Sequence, residues 1–528
     1  MTEERNSPAL LAGLERELEF PVRAACIDVG SNALRFAAAE FAAPDQLRVI
    51  GQERAPVRLG HDVFLTGRLT DGGMDAAVTA LASFWTRMSE LDIAVYRAVA
   101  TSAVRESSNG DEFVARVRSQ AGLDLEVISG SEEARLVHAA VRRAVPLAGG
   151  EWIVVDVGGG SVEVLLVDDS GILWSESHTM GSVRLLEELS ETGEEPGRLR
   201  RLLEEYTSTL RLPLAAHGRR PQGFIATGGN AEALAELGGV PLVAGGGPSS
   251  LPVETLRSII ERLSRLSYRQ RVDELGLRED RADVILPAAL VYDRLAGLSG
   301  AATIIVPGVG IKEGVLYDLV EAVTTQQAHA DRRDQELNAA LLSVGRRYMF
   351  DEGHARQVAR LSLSLFDQLS ALHGLDESDR RILQAAAWLH DIGAYISYKR
   401  HHKHSMYLIT QSELPGFSAG QVGLVATVAR YHRKSDPGPQ HQEFAVLKPA
   451  EQRRVLALAA ILRLADALDR EHSARVRSVA VEAQRGKALL RIEGKGDLLL
   501  EKWSLKRKSG LFERVFEREL RVRNGGER

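Results

Sequence analysis

Cys26-Ile27-Asp28-Val29-Gly30-Ser31-Asn32-Ala33-Leu34-Arg35-Phe36 sets a glycine turn between two apolar runs, with an aspartate at the mouth of the turn. Val154-Val155-Asp156-Val157-Gly158-Gly159-Gly160-Ser161-Val162-Glu163-Val164 repeats that layout. Each reads as strand, tight turn, strand. Glycine lets the backbone turn freely and pass close to a ligand, so successive N–H groups converge on a concavity suited to an anion. Gly30, Ser31 and Asn32 would make one phosphate cradle, and Gly158, Gly159, Gly160 and Ser161 a second. A carboxylate repels phosphate unless a cation lies between them, so Asp28 and Asp156 imply Mg²⁺, held partly through water. The two halves are expected to clamp one phosphate chain.

Working outward, β-type runs at Ala24–Asp28, Leu34–Ala39, Ala94–Ala100 and Leu125–Ile128 alternate with helical stretches such as Asp75–Leu91, an α/β unit over residues 1–145. The alternation restarts at Trp152–Asp156 and Val162–Val167, passes a charged helical stretch at Pro196–Leu210 and returns to strand at Gly223–Ala226 and Thr303–Val306. That order predicts an internal duplication, with a second α/β unit over 146–325. Thr227-Gly228-Gly229-Asn230 follows a strand and opens a helix, placing Gly228, Gly229 and Asn230 at a third anion-sized gap. From 326 to 475 long helical periods predict an all-α domain, including Ala355–Leu372, Asp379–His390, Gln421–Tyr431 and Gln452–Leu468. Residues 476–528 return to alternation, with turns at Arg485-Gly486, Gly494–Gly496 and Ser509-Gly510, and predict a small β-containing C-terminal domain.

With 528 residues, 44% of them apolar, the chain can bury several cores. A net charge of −6 does not mark a general nucleic-acid binder, although Glu471–Arg528 carries 15 basic against 9 acidic residues and would draw a polyanion. Cys26 is the only cysteine, which excludes an intrachain disulfide framework and fits a reducing cytosol. Met1–Phe20 has neither a signal-peptide pattern nor an unbroken apolar core. A cytoplasmic protein with no DNA and no membrane partner is expected.

The blocks CIDVGSNALRF, ATSAVRES from Ala100, VISGSEEARL from Val127, VVDVGGGSVEVLLV, TMGSVRL from Thr179, ATGGNAEALAEL and PGVGIKEGVLYDL run in order over about residues 24 to 320. Together they resemble the exopolyphosphatase and guanosine pentaphosphate phosphatase family of the actin-like ATPase superfamily. The resemblance implies two actin-like (ribonuclease H-like) α/β domains and a homodimer. The family's third glycine turn more usually reads Gly-Gly-Thr; Asn230 stands in that place here.

Ser129-x-x-Glu132 fits a capping box at a helix start, which would occupy Glu132 and leave Glu133 free to deprotonate an attacking water. The resemblance points to the same Glu133 as the catalytic base; the plain alternative is an exposed helix-start acid favoured by the dipole. Arg105 matches the arginine that the family sets beside the phosphate, and its planar fork suits phosphate oxygens; it would otherwise pair with Glu106 or Asp111. Glu163 would hold Mg²⁺ or its waters, or point outward from its strand.

In the helical half His354, His390-Asp391 and Asp466 lie on or beside predicted helices and read as ligands for a second divalent ion, Mn²⁺, Fe²⁺ or Mg²⁺. With Ala465-Asp466-Ala467-Leu468-Asp469 the set resembles the HD phosphohydrolase superfamily, which implies an HD-type domain. His404, His432, Arg433 and Lys434 are candidates for a polyphosphate channel, or else are helix-surface charges.

The sequence therefore predicts an α/β protein of two actin-like domains followed by an all-α HD-type domain and a small α+β domain. Its expected activity is Mg²⁺-dependent release of terminal orthophosphate from inorganic polyphosphate. Hydrolysis of guanosine pentaphosphate is the alternative within the same cradle, and a nucleotide- or polyphosphate-binding regulator is the alternative outside catalysis.

Overall fold

A computed structural model describes residues 9–10, 17–190, 196–212, 221–242, 247–484 and 486–524. The chain divides into two compact units, Met1–Leu337 and Asn338–Arg528.

The first unit holds two sheets of matching plan. In one, β1 (Val22–Val29), β2 (Leu34–Ala43) and β3 (Gln46–Ala55) form an antiparallel meander, and β4 (Val95–Ala100) and β5 (Leu125–Val127) extend it in parallel on the far side of β1; Ala9–Leu10 also pairs with β4. In the other, β6 (Trp152–Val157), β7 (Val162–Asp168) and β8 (Gly171–His178) form the meander, and β9 (Gly223–Thr227) and β11 (Thr303–Val306) extend it in parallel beyond β6, with β10 (Ser249–Pro252) antiparallel at the edge. β1 and β7 are buried almost throughout because each lies between two strands under covered faces, so they read as near-continuous apolar runs, broken by Arg23 and Asp28 in the first and by Glu163 and Asp168 in the second. β3 and β8 do not stand out in the sequence; they are edge strands whose exposed sides are polar, and their pattern is correspondingly weak.

α1 (Asp71–Glu90) starts four residues earlier than the pattern suggests, with Thr70 accepting from the Gly73 amide as N-cap. α2 (Gly130–Ala144) positions the site, and α3 (Ile285–Ser299) packs on the second sheet. Leu136 packs with Val22, Ala24 and Cys26 of the first sheet and with Val315 and Leu319 of α4 (Ile311–Thr324), whereas Val137 and Val141 pack with Val154, Leu165 and Ile225 of the second. One helix thus has apolar contacts on two sides, each large side chain stabilising by about 1.5–3 kcal/mol. Its N-terminal turn is held where the sheets face each other.

The second unit is mainly helical: α5 (Glu352–Gln368), α6 (Glu377–Leu389), α7 (His401–Thr410), α8 (Ala419–Arg430) and α9 (Pro449–Ala467). Val476–Val522 is not uniformly alternating. β12 (Val476–Gln484) and β13 (Lys487–Gly494) pair antiparallel, but α10 (Leu499–Lys508) and α11 (Gly510–Phe516) intervene before β14 (Glu519–Asn524), which joins β13 in parallel. The turn at Gly494–Gly496 leads into a helix, and Ser509-Gly510 separates two helices; Arg485 lies outside the described residues. β12 packs on α5, and α10 and α11 on α9, so this segment shares the helical unit's interior. No described helix is long and apolar enough to cross a membrane.

Candidate active site

The two glycine turns close in the same way: the Gly30 amide donates to the Ala33 carbonyl at 3.2 Å and the Gly158 amide to the Ser161 carbonyl at 3.0 Å. Strand register then sets Asp28 opposite Arg35 and Asp156 opposite Glu163. Cross-strand neighbours share a face, so the first pair attracts and the second repels. Arg35 Nη1 donates to Asp28 Oδ2 at 2.9 Å. Burial, with repulsion from Asp28 among other acids, pushes Asp156 up to about 6, and burial together with Glu133 and Asp156 raises Glu163 well above the usual carboxylate range.

Asp28 and Asp156 border one crevice of about 370 Å³, with Ser31, Asn32, Gly158, Gly159, Ser161, Gly228, Gly229 and Asn230 on its walls. Gly30 borders it as well. Gly160 and Glu163 do not; Gly160 lies against Phe64 and Ser102, and Glu163 is a buried strand residue accepting from Ser177 Oγ at 2.9 Å rather than an outward one. The turn glycines do not take positive φ. Space is what requires glycine at 159, where a Cβ would fall 2.9 Å from Ser31 Cβ on the opposite turn. Gly228 alone of the site glycines needs conformational freedom: its φ is +82°, and a Cβ there would meet Asp156 Oδ1 at 2.6 Å.

Ser129 caps α2 by accepting from the Glu132 amide at 3.2 Å. The reciprocal half of the expected capping box is absent, because Glu132 accepts from Arg135 Nε at 2.8 Å and Nη2 at 2.9 Å and from Arg97 Nη2 at 3.2 Å. Burial pushes Glu132 up, but Arg135, Arg333 and Arg97 outweigh it and hold this acid well below the usual carboxylate range. Glu133 borders the crevice and is buried rather than exposed. Burial, aided by Asp28 and Asp156 against the pull of Arg105, lifts it to about 7, the range of an acid poised to exchange a proton near neutrality. Arg105 pairs with neither Glu106 nor Asp111: it donates to Glu133 Oε1 at 2.5 Å and to the Ile128 carbonyl at 2.8 Å, while Glu106 accepts from Arg184. Arg105 does not border the crevice.

The cations that do border the crevice, Arg35, Arg54, Arg278, Arg281 and Lys312, were not singled out from sequence. Arg281 Nη1 donates to Asn230 Oδ1 at 3.2 Å, and burial followed by the neighbouring Arg35 and Arg278 pulls its pKa down to about 10. Asn230 Nδ2 in turn reaches the Val157 carbonyl at 3.3 Å, and Asn32 Nδ2 the Asp280 carbonyl at 2.9 Å. Both asparagine amides thus tie the turns to neighbouring backbone while their side chains border the crevice. Hairpin counting would have found Arg35, which the loop length sets opposite Asp28; Arg281 has no local signal.

Residues 39–323 match the model of the Ppx/GppA phosphatase family. The chain belongs to that family and is a phosphatase. Residues 338–509 match Ppx/GppA phosphatase, domain III. A guanosine-5'-triphosphate,3'-diphosphate pyrophosphatase of Pseudoalteromonas translucida is 28% identical over 417 residues, 78% of this chain and 80% of that protein. The crystal structure of an exopolyphosphatase from Cytophaga hutchinsonii is similar at TM-score 0.53 and 28% identity, covering 57% of this chain and 98% of that one. An exopolyphosphatase-like protein structure shares the fold at TM-score 0.50 and 23% identity, covering 57% of this chain and 99% of that one.

In the Ppx/GppA domain III region, His354, His390 and Asp391 bring one ligand atom each to within 4.8 Å of one another. His354 Nδ1 faces Asp469 Oδ2 at 2.8 Å and His390 Nδ1 faces the Ala387 carbonyl at 2.8 Å. His354 Nε2 and His390 Nε2 are buried without hydrogen-bond partners, and Asp391 Oδ1 stands 3.0 Å from His401 Nε2; two open imidazole nitrogens beside a carboxylate are a donor set that fits a divalent ion. Asp466 stands beside this triad, its Oδ1 3.7 Å from His354 Nε2, and its carboxylate is also paired with the Lys508 ammonium. His432 is buried and faces Asp391, so it is not a channel-lining side chain. Its neighbour Arg433 leans over Tyr398, Lys434 is exposed, and His404 is half-buried on α7.

Proposed function

We propose that this phosphatase hydrolyses the terminal phosphoanhydride bond of inorganic polyphosphate and releases orthophosphate. The observation carrying this reading is Glu133, a buried carboxylate with raised proton affinity, at the edge of a crevice bordered by both glycine turns and five cations. Among the described residues only Ala33, Phe36, Val157 and Ile311 give that crevice an apolar surface, which suits a polyanion better than a nucleobase. Asp28 and Asp156 would hold Mg²⁺; burial, with Asp28 nearby, lifts Asp156, and a cation would relieve both; Mg²⁺ would offset phosphate charge. Gly158, Gly159 and Ser161 would hold the terminal phosphoryl with Arg281 and Lys312. Glu133 takes a proton from water as its oxygen attacks phosphorus, and the bond to the bridging oxygen breaks. Arg105 keeps Glu133 aimed. In domain III, His354, His390 and Asp391 would hold a transition-metal ion in an HD-type arrangement.

The name of the Pseudoalteromonas relative favours guanosine pentaphosphate as a second reading. Orthophosphate release from long-chain polyphosphate, guanosine pentaphosphate and ATP, compared at equal ends, decides: a higher kcat/KM for polyphosphate is expected, and a preference for guanosine pentaphosphate would replace the first reading with the second.

A further inference from the structure

We propose that Arg184 is a positioning residue for this reaction: its guanidinium fixes the second glycine turn and ties it to the short helix that carries Arg105. The proposal rests on the reading above, in which Gly158, Gly159 and Ser161 hold the terminal phosphoryl.

Three consecutive carbonyls of that turn point into the start of the helix Ser182–Ser190. The Gly158 carbonyl accepts from the Ser182 amide at 2.9 Å, that of Gly159 from the Val183 and Arg184 amides at 2.8 and 3.0 Å, and that of Gly160 from the Gly181 amide at 3.2 Å. The first amides of a helix have no acceptor within it, so the turn caps the helix while the helix sets the turn. The approach is close: a Cβ on Gly181 would stand 2.4 Å from the Gly159 carbonyl oxygen. Across a trans peptide the N–H points opposite to the carbonyl. The amides of Gly159, Gly160 and Ser161 therefore face away from the helix, and among the described residues none of them has an acceptor. Gly159 and Ser161 border the crevice, so these open donors are the ones a phosphoryl would meet.

Arg184 adds a link that the backbone does not make. Its side chain is buried, Nε donates to the Gly160 carbonyl at 2.9 Å, Nη2 donates to Glu106 Oε2 at 2.5 Å, and the guanidinium carbon lies 4.0 Å from the centre of the Phe64 ring. Phe64 comes from the helix Leu59–Thr66 and Glu106 from the helix Ser102–Glu106, both in the stretch that builds the first sheet. Arg105 and Glu106 are consecutive. One holds Glu133 and the other holds Arg184, so the proton acceptor and the phosphate turn are both anchored on the same 5-residue helix. The separation of base and phosphorus is thereby set within one rigid piece, and a displacement of about 1 Å in such a geometry costs about 100-fold in rate.

The test uses the full chain and measures orthophosphate release together with inhibition by orthovanadate, whose five-coordinate form matches the transition state. Arg184→Met keeps the stem beside Phe64 and removes the donors; kcat should fall about 30- to 100-fold and orthovanadate inhibition weaken by a like factor, with KM changed only a few-fold. Arg184→Lys should recover part of the loss. Glu106→Gln, at a partly exposed position, should lower kcat about three- to tenfold, and adding it to Arg184→Met should change little, because both cut the same tie. Variants that melt lower yet keep kcat and orthovanadate inhibition within about twofold of the unsubstituted protein would make Arg184 a packing residue and overturn the proposal. Full additivity of the two substitutions would overturn it as well. Should Arg184→Met not fold, Glu106→Gln decides by the same two readouts. Every variant is compared with the unsubstituted protein on one substrate, so a preference for guanosine pentaphosphate would replace the reading above and leave this comparison standing.

Discussion

Arg105 Nη1 sits 2.5 Å from Glu133 Oε1, so the side chain expected to grip phosphate grips the proposed base instead. Glu133→Gln should therefore lower kcat by about 10²- to 10⁴-fold while leaving KM for polyphosphate within a few-fold. Arg105→Ala should also act on kcat more than on KM, and Arg105→Lys should recover part of the loss. Steady-state orthophosphate release checks both; a rise in KM alone for the Arg105 variants would return that residue to the phosphate site.

The pH dependence has a defined sign. A base works unprotonated, so kcat/KM should climb with pH and level off above about 7, the value to which burial lifts Glu133, and this limb should move to lower pH as Mg²⁺ is raised. For stability the direction reverses. Folded Glu133 and Asp156 keep protons that the unfolded chain has lost, so their contribution is present at low pH and disappears as pH rises through about 6 and about 7. Melting temperatures in chelator at pH 5 to 8 should fall less steeply for Glu133→Gln than for the unsubstituted protein; parallel curves would deny the shift.

Arg281 is the crevice cation that touches the phosphate turns through Asn230. Arg281→Ala should raise KM about 10- to 100-fold, the size of a charged hydrogen bond of about 1.5–3 kcal/mol, with a smaller change in kcat. Isothermal titration with a short polyphosphate reads the affinity directly; unchanged binding would remove Arg281 from the ligand shell.

Gly228→Ala combines two faults, a left-handed residue costing about 1–2 kcal/mol and a methyl against Asp156 Oδ1. Stability should drop by at least that amount in chemical denaturation, and Mg²⁺ dependence should shift to higher concentration. A variant with native Mg²⁺ response would show that Asp156 does not hold the ion.

Lys508 pairs with Asp466 beside His354, at the edge of the domain III cluster. Removing this ammonium with Lys508→Met should tighten Co²⁺ binding about tenfold by removing a nearby positive charge. Titrations of the stripped protein measure it; weaker binding would mean that Lys508 supports the cluster.

Much of this was legible in the chain. The glycine turns, the strands flanking them and Glu133 follow from residue order because each is local. Arg35 was within reach, since a four-residue loop fixes the strand register opposite Asp28. Glu132 reads locally as half of a capping box, whereas its partners Arg97, Arg135 and Arg333 come from three places in the sequence. Asp466 reads as a metal ligand and stands 3.7 Å from His354 Nε2, but its partner Lys508 has no local signal, since it comes from a segment whose alternating pattern reads as strand. His401 and His432 were invisible as a pair for the same reason: only tertiary packing brings their nitrogens together.

Glu132 and Glu133 are consecutive in α2, yet one is fixed as an anion inside an arginine cage and the other is free to titrate. Successive residues on a helix differ by about 100° in direction. The cage therefore acts as a key against rotation, because turning α2 by one residue would in one sense carry Glu132 to the crevice and Glu133 past it, and in the other bury Glu133 among cations with Ala134 at the crevice. Deleting Ser131 while the cap at Ser129 stays in place would seat Glu133 in the arginine cage and leave Ala134 facing the crevice, a fold with its proton acceptor silenced.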